Sequence, residues 1–200
     1  MKITTEQVKE LRKKTGAGVL DCRKALEEAE GDIGAAAGLL RQKGLIKAAG
    51  RSGREASDGI IDLYSHGEGR VGVMVEVNTE TDFVARTTEF REFAHEISLQ
   101  VAANAPRWVS PDDVPEEILE EERKVAREQA LAEGKSDNVV DRIIEGKLEK
   151  YLSEVCLLNQ PYVRDEDRKI SEVVQDLILS TGENVSIKRF ERWEIGEALE

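Results

Sequence analysis

The chain has 200 residues, of which 40% are hydrophobic, 35% charged and only 4% aromatic. That apolar share supports a packed core and excludes wholesale disorder, and the charge-rich, aromatic-poor balance suits helices better than an all-β sandwich. The 29 basic against 41 acidic side chains leave a net charge of −12, which argues against general nucleic-acid affinity, because phosphate binding needs a positive footprint.

No apolar run approaches the roughly 18–20 residues of a membrane span, and the start, Met1-Lys2-Ile3-Thr4-Thr5-Glu6-Gln7, lacks the apolar stretch of a signal peptide. Cys22 and Cys156 form no disulfide framework. The expectation is a cytoplasmic protein with reduced thiols and no membrane contact. Charge is unevenly spread: residues 1–56 carry 12 basic and 8 acidic side chains, residues 57–200 carry 17 and 33. With the small, polar stretch from Lys47 to Asp58, this divides the chain into a module at 1–46, a linker at 47–57 and a core at 58–200.

The first piece reads as three short helices. Thr4 and Gln7 make a capping box, followed by Val8 and Leu11 on one face. Thr15-Gly16-Ala17-Gly18 breaks the helix. A second helix from about Val19 to Ala29 places Leu20, Cys22 and Leu26 inward. After Gly31, Asp32 caps a third helix with Ile33, Ala36, Leu39 and Leu40 as its stripe, and Gly44 fits its stop.

The second piece changes period. Gly59 to His66 and Arg70 to Asn78 flank a Gly-rich hairpin turn, and Val71, Val73, Val75 and Val77 alternate along one strand face. Helical spacing then returns with Phe90, Phe93, Ala94, Ile97 and Val101, ending before Pro106. A helical hairpin spans about 115–155, with Ile118, Leu119, Val125 and Ala126 on one arm and Val140, Ile143, Ile144, Leu148, Tyr151 and Leu152 on the other. A last helix near Asp167 to Ser180 stops at Gly182, and Val185 and Ile187 begin a strand returning to the first hairpin. The fold class is α+β: a small antiparallel sheet backed by helices.

No catalytic set emerges. His95-Glu96 begins a zinc-protease pattern, but position 99 is Leu, and His66 stands alone in a turn. Cys22 has no histidine nearby and suits a small core site. No phosphate-binding GxxxxGK[ST] occurs. The acidic run Glu116-Glu117 to Glu120-Glu121-Glu122 suits a solvated helix face better than a metal platform. The expectation is a binding protein with no cofactor and no metal. An RNA reader built on the basic module and a carboxylate hydrolase built on the acidic helices are the rivals. The acidic core and the absence of a basic-aromatic stripe oppose the first; a carboxylate of raised pKa in a pocket would support the second.

One segment stands apart, Thr81-Asp82-Phe83-Val84-Ala85, between the best strand and the best amphipathic helix. Two readings are open. Thr81 or Asp82 caps the turn while Phe83 staples the helix entry, or the loop presents a carboxylate and an aromatic wedge to a partner.

Three signatures in register resemble the elongation factor Ts family of guanine-nucleotide exchange factors. They are Leu11-Arg12-x-x-Thr15-Gly16-Ala17-Gly18-Val19-Leu20-Asp21-Cys22-Arg23-Lys24-Ala25-Leu26, continuing through Gly31-Asp32 to Leu40-Arg41-x-Lys43-Gly44; Val75-Glu76-Val77-Asn78-x-x-Thr81-Asp82-Phe83-Val84-Ala85; and Leu158-x-Gln160-Pro161-Tyr162-Val163. The resemblance implies a ubiquitin-associated-like N-terminal module, an α+β core, and elongation factor Tu as partner, with no direct nucleic-acid contact. It assigns Thr81, Asp82, Phe83 and Val84 to disturbing the partner's magnesium site so that GDP leaves. It assigns Val19 and Leu20 to contact with the partner's nucleotide-binding domain, and Arg51 to a basic contact. Thr79 stands where relatives often have Cys, and Val19 and Leu20 stand where they have methionines. Longer relatives duplicate the core, so this shorter chain is expected to form a homodimer, not disulfide-linked.

Overall fold

A computed structural model describes residues 3–15, 17–51 and 53–198. Gly16 of the expected first break and Ser52 of the expected linker lie outside the described residues. The chain forms helices α1 (Thr5–Thr15), α2 (Val19–Glu28) and α3 (Ile33–Ala49), then strands β1 (Asp58–His66) and β2 (Val71–Thr79). A short helix α4 (Asp82–Ala85) leads into α5 (Thr88–Asn104), and α6 (Glu116–Ala132) and α7 (Asp137–Val155) form the helical hairpin. Strands β3 (Pro161–Tyr162) and β4 (Asp165–Lys169), helix α8 (Ile170–Thr181) and strand β5 (Val185–Glu194) complete it. The fold is α+β, with a three-stranded sheet in the order β1-β2-β5 and a separate β3-β4 ribbon.

Local chemistry explains most boundaries. The Thr4 hydroxyl accepts from the Gln7 N–H at 3.2 Å while the Gln7 side chain accepts from the Thr4 N–H at 2.9 Å, so two orphan donors at the start of α1 are satisfied reciprocally. Asp32 caps α3 by accepting from the Ala35 N–H at 2.8 Å. At Gly59 a Cβ would collide with the Val77 carbonyl oxygen, which makes a side chain there impossible without moving backbone.

The chain packs as two compact units, each discontinuous in sequence. The first comprises Met1–Asp62, Val75–His95 and Glu172–Lys188. Its three-helix portion packs Leu11, Cys22, Ala25, Leu26 and Ala36 into one cluster, flanked by Val8, Ile33 and Leu40. Val75, Val77, Phe90, Ala94 and Ile178 are among its other buried residues. The second comprises Leu63–Met74, Glu96–Ser171 and Arg189–Glu200. In it the α6–α7 hairpin closes over Ala126, Ala130, Val140 and Ile144. A knot of amides fixes the chain after α7: Gln160 donates to the carbonyls of Asn104 and Glu154, while Gln100 donates to the Gln160 side chain and the Pro161 carbonyl. Gln100 also accepts from the Val163 N–H at 2.8 Å, so buried polar groups here are paired rather than stranded.

Several expectations are corrected. Gly44 does not end the third helix, which continues to Ala49. Leu20 is 73% exposed and stays out of the core that Cys22, Ala25 and Leu26 build on the other face of α2. Val125 is likewise exposed, leaving Ala126 and Ala130 to pack α6. The last helix starts at Ile170, because Asp165 and Lys169 pair with Tyr162 and Pro161 in the β3–β4 ribbon. That ribbon, like the short α4, carries no apolar alternation that would announce it.

Candidate functional site

The segment singled out in the sequence lies within the first unit, where β2 ends and the chain turns into α4. Thr81 is the N-cap of α4, with extended backbone (φ −133°, ψ 152°), and its hydroxyl accepts from the Val84 N–H. On so short a helix, neighbouring side chains diverge sharply in direction. Val84 and Ala85 are buried at 6% and 4% exposure and fasten the helix to the core, while Phe83 is 77% exposed. Asp82 is also outward and pairs with Arg86 at 2.7 Å, one turn along. Thr87 then closes α4 and opens α5: its hydroxyl donates to the Val84 carbonyl and accepts from the Phe90 N–H. The capping reading holds at Thr81, but Phe83 does not staple the helix entry, because its ring lies in solvent and Val84 makes the contact with the core. Thr81 caps, Val84 anchors, and Asp82 and Phe83 face outward.

What fixes the entry to α4 is a second segment far along the chain. After α8, Gly182 adopts a left-handed conformation (φ +78°) that a β-carbon would disfavour, and the chain turns back. Glu183 then accepts from the Thr79 hydroxyl at 2.9 Å, the Thr81 N–H at 3.0 Å and the Thr81 hydroxyl at 2.7 Å. In return, Glu80 accepts from the Asn184 N–H at 2.6 Å, and the Asn184 amide donates to the Arg54 carbonyl at 2.8 Å. Burial pulls the Glu183 carboxyl upward. The bonds from the Thr81 and Thr79 side chains and from the backbone of Thr81 and Glu80 outweigh it and hold the group below the ordinary carboxylate value. Thr79 is fully buried and serves as one of these donors. Glu80, Glu183 and Asn184 escaped the sequence reading; the only local hint is the Gly182 turn that points Glu183 back along the chain.

The other residues expected to contact a partner, Val19, Leu20 and Arg51, sit elsewhere in the same unit. Val19 and Leu20 open α2 and are 50% and 73% exposed. Arg51 follows α3 and donates to the Ile178 carbonyl at 3.2 Å, in the last turn of α8, where a cation meets the negative end of the helix. His95 faces Asp62 at 3.4 Å, and His66 shares a hydrogen bond with the Tyr64 hydroxyl at 3.0 Å. Cys22 and Cys156 are free and buried. Burial, with the Asp113 charge adding to it, pushes the Cys156 thiol up to about 11. Among the described residues no group of three or more His, Cys, Asp or Glu is placed to hold a metal ion, and no helix is long and apolar enough to cross a membrane.

These features define an α+β protein that presents a short, stiffly held acidic-aromatic corner. The family model for elongation factor Ts matches residues 45–197. The chain is 52% identical to the elongation factor Ts of Carboxydothermus hydrogenoformans over 98% of its own length and 91% of that protein's. It is equally identical to that of Caldanaerobacter subterraneus subsp. tengcongensis, over 99% of each chain, and to that of Thermoanaerobacter sp. strain X514, over 99% and 97%. The chain belongs to the elongation factor Ts family, whose members act in the elongation stage of protein synthesis.

Proposed function

We propose that this protein binds GDP-loaded elongation factor Tu, disturbs its magnesium site and releases GDP so that GTP can enter. It does so without making or breaking a covalent bond, as a cytoplasmic protein rather than an enzyme. The observation that carries this reading is the exposure of Phe83 beside Asp82 on a helix whose other side is anchored. A bound diphosphate is held by backbone amides, a lysine and Mg²⁺. A wedge that displaces the ion leaves that charge less compensated, so the nucleotide departs. The coupling is reciprocal: nucleotide weakens the factor's hold by the same factor by which the factor weakens nucleotide binding.

In this reading Phe83 is the wedge and Asp82 rearranges polar contacts beside it, with Thr81 and Val84 holding the pair in place. Residues 1–46 act as the anchoring module, 47–57 as the linker and 58–200 as the core. The exposed apolar pair Val19 and Leu20 docks on the partner's nucleotide-binding domain, and Arg51 adds a basic contact. A homodimer supplies the second core copy that longer relatives carry in one chain; the exposed Leu63 and Met74 of the second unit favour such a contact. The test is release of a fluorescent GDP from elongation factor Tu. The parent accelerates release, and Phe83→Ala slows the stimulated rate by about 10-fold or more while circular dichroism is unchanged. Equal stimulation by parent and variant overturns the wedge.

A further inference from the structure

We propose that Glu183 is a positioning residue for exchange, a carboxylate that aims Phe83 and Asp82 by locking the strand-to-helix corner on which they stand. The inference rests on the function proposed above and assigns that function a residue outside the Thr81–Val84 segment.

The argument begins with the Thr81 hydroxyl. One hydroxyl has one proton to give and lone pairs to accept with. Here it accepts from the Val84 N–H, which starts α4, and gives its proton to Glu183. An ionised carboxylate is an acceptor only, so Glu183 forces the hydroxyl to point its proton away from the helix and its lone pair toward Val84. The same carboxylate takes the Thr81 N–H and the Thr79 hydroxyl, so three donors on the corner converge on one group. Charge-assisted bonds of this kind are roughly twice as strong as neutral ones. The reciprocal bond from the Asn184 N–H to Glu80 ties the same two segments a second time. Directly beyond this lock stands Phe83, whose ring is mostly in solvent and has little of its own packing to fix its direction. The direction of the wedge therefore has to come from the backbone at Thr81, and Glu183 sets that backbone.

Glutamine in place of Glu183 keeps the shape but brings an NH₂ group and no charge. It cannot accept all three donors, and one oxygen position becomes a donor facing donors. The lock loosens while the packing beneath Val84 and Ala85 is untouched.

The experiment uses the full chain with GDP-loaded elongation factor Tu and fluorescent GDP, across a range of factor concentrations. Four proteins are compared: parent, Glu183→Gln, Phe83→Ala, and the double variant. Glu183→Gln is expected to lower the maximal stimulated rate by about 10-fold, because misplacing a working group by an ångström has consequences of that order or larger. Its half-saturating concentration is expected to stay within about 2-fold of the parent's, because the Val19–Leu20 contact is intact. Once Phe83 is gone, Glu183→Gln is expected to cost less than about 2-fold more, since residues acting through one another are not additive. Amide exchange at Val84 is expected to quicken in Glu183→Gln while exchange in α5 is unchanged. Should Glu183→Gln fail to fold, Thr79→Val removes one of the three donors at constant volume, and the same pattern is expected at about 3-fold. A Glu183→Gln protein that stimulates like the parent, or whose loss adds in full to that of Phe83→Ala, overturns the inference alone. A parent that does not accelerate release overturns the proposed function and this inference with it.

Discussion

Helix α4 and the opening turns of α5 follow one another directly, each carries a phenylalanine, and the two rings have opposite fates. Phe90 is fully buried, among the largest enclosed side chains, while Phe83 is 77% exposed. The same residue type thus serves packing on one helix and presentation on the next. What separates them is support. Phe90 belongs to a stripe of Phe93, Ala94, Ile97 and Val101, all buried along one face of α5. Phe83 belongs to a helix of one turn, fixed from below by Val84 and from its entry by Glu183. A ring that the fold does not need is free to serve as the proposed wedge.

The largest effect available breaks the comparison at its buried end. Phe90→Ala removes a fully enclosed ring and is expected to lower stability by about 3–5 kcal/mol. Phe83→Ala is expected to stay within about 0.5 kcal/mol of the parent, as surface changes do. Urea titrations of the two variants decide the matter. If Phe83→Ala is destabilised by more than about 2 kcal/mol, the ring has structural duties and the contrast collapses.

The buried side of this contrast was legible beforehand. The period-two run of Val71, Val73, Val75 and Val77 and the helical spacing from Phe90 to Val101 both describe burial that the fold carries out. The Thr4–Gln7 box and the Asp32 cap formed as their local spacing required. The exposed side was one of two readings of the residues and not the one local pattern favours, because a phenylalanine beside a capping residue reads first as a staple. The lock was not legible beyond the turn that Gly182 marks. Thr79 and Glu183 lie 104 positions apart, and no local pattern couples a strand end to the residue after a distant helix. The β3–β4 ribbon hid for a related reason: Asp165–Lys169 is entirely charged, so its pairing is set by backbone partners and not by an apolar face. Leu20 misled because an apolar residue on a short helix is assigned inward by default, whereas here it is 73% exposed.

A middle-sized effect sharpens the comparison along α5 itself. Beyond the phenylalanine stripe, Glu96 accepts from the Tyr162 hydroxyl at 2.8 Å and from Arg164 Nε at 3.0 Å. Burial, then the hydrogen bond to Glu96 and its charge, push the Tyr162 phenol up to about 12. A folded pKa above the unfolded value near 10 means that the contribution is complete below about pH 10 and is lost as pH climbs toward 12. Stability followed by urea midpoint is therefore expected to fall steeply over that window in the parent and less steeply in Tyr162→Phe. Equal slopes would detach Tyr162 from the alkaline loss.

The smallest effect probes the exposed end again, through Asp82. Its pair with Arg86 is short at 2.7 Å, yet the two side chains are 62% and 74% exposed. A surface pair one helical turn apart contributes only about 0.3–0.5 kcal/mol, and salt screens it. Asp82→Ala is therefore expected to shift the urea midpoint barely at low salt and not at all near ~1 M salt. The same substitution is expected to slow stimulated GDP release, because in the proposed function the carboxylate acts on the partner and not on its own fold. Arg86→Ala separates the two roles further. It breaks the same pair and forfeits the same small stability, but leaves the Asp82 carboxylate in place. If both variants slow release alike, the pair matters as a unit that orients Asp82; if only Asp82→Ala does, the carboxylate acts directly. A loss of more than about 1 kcal/mol in Asp82→Ala at either salt concentration would instead make Asp82 a structural residue, and the division between a packed α5 and a presenting α4 would have to be redrawn at Phe83 alone.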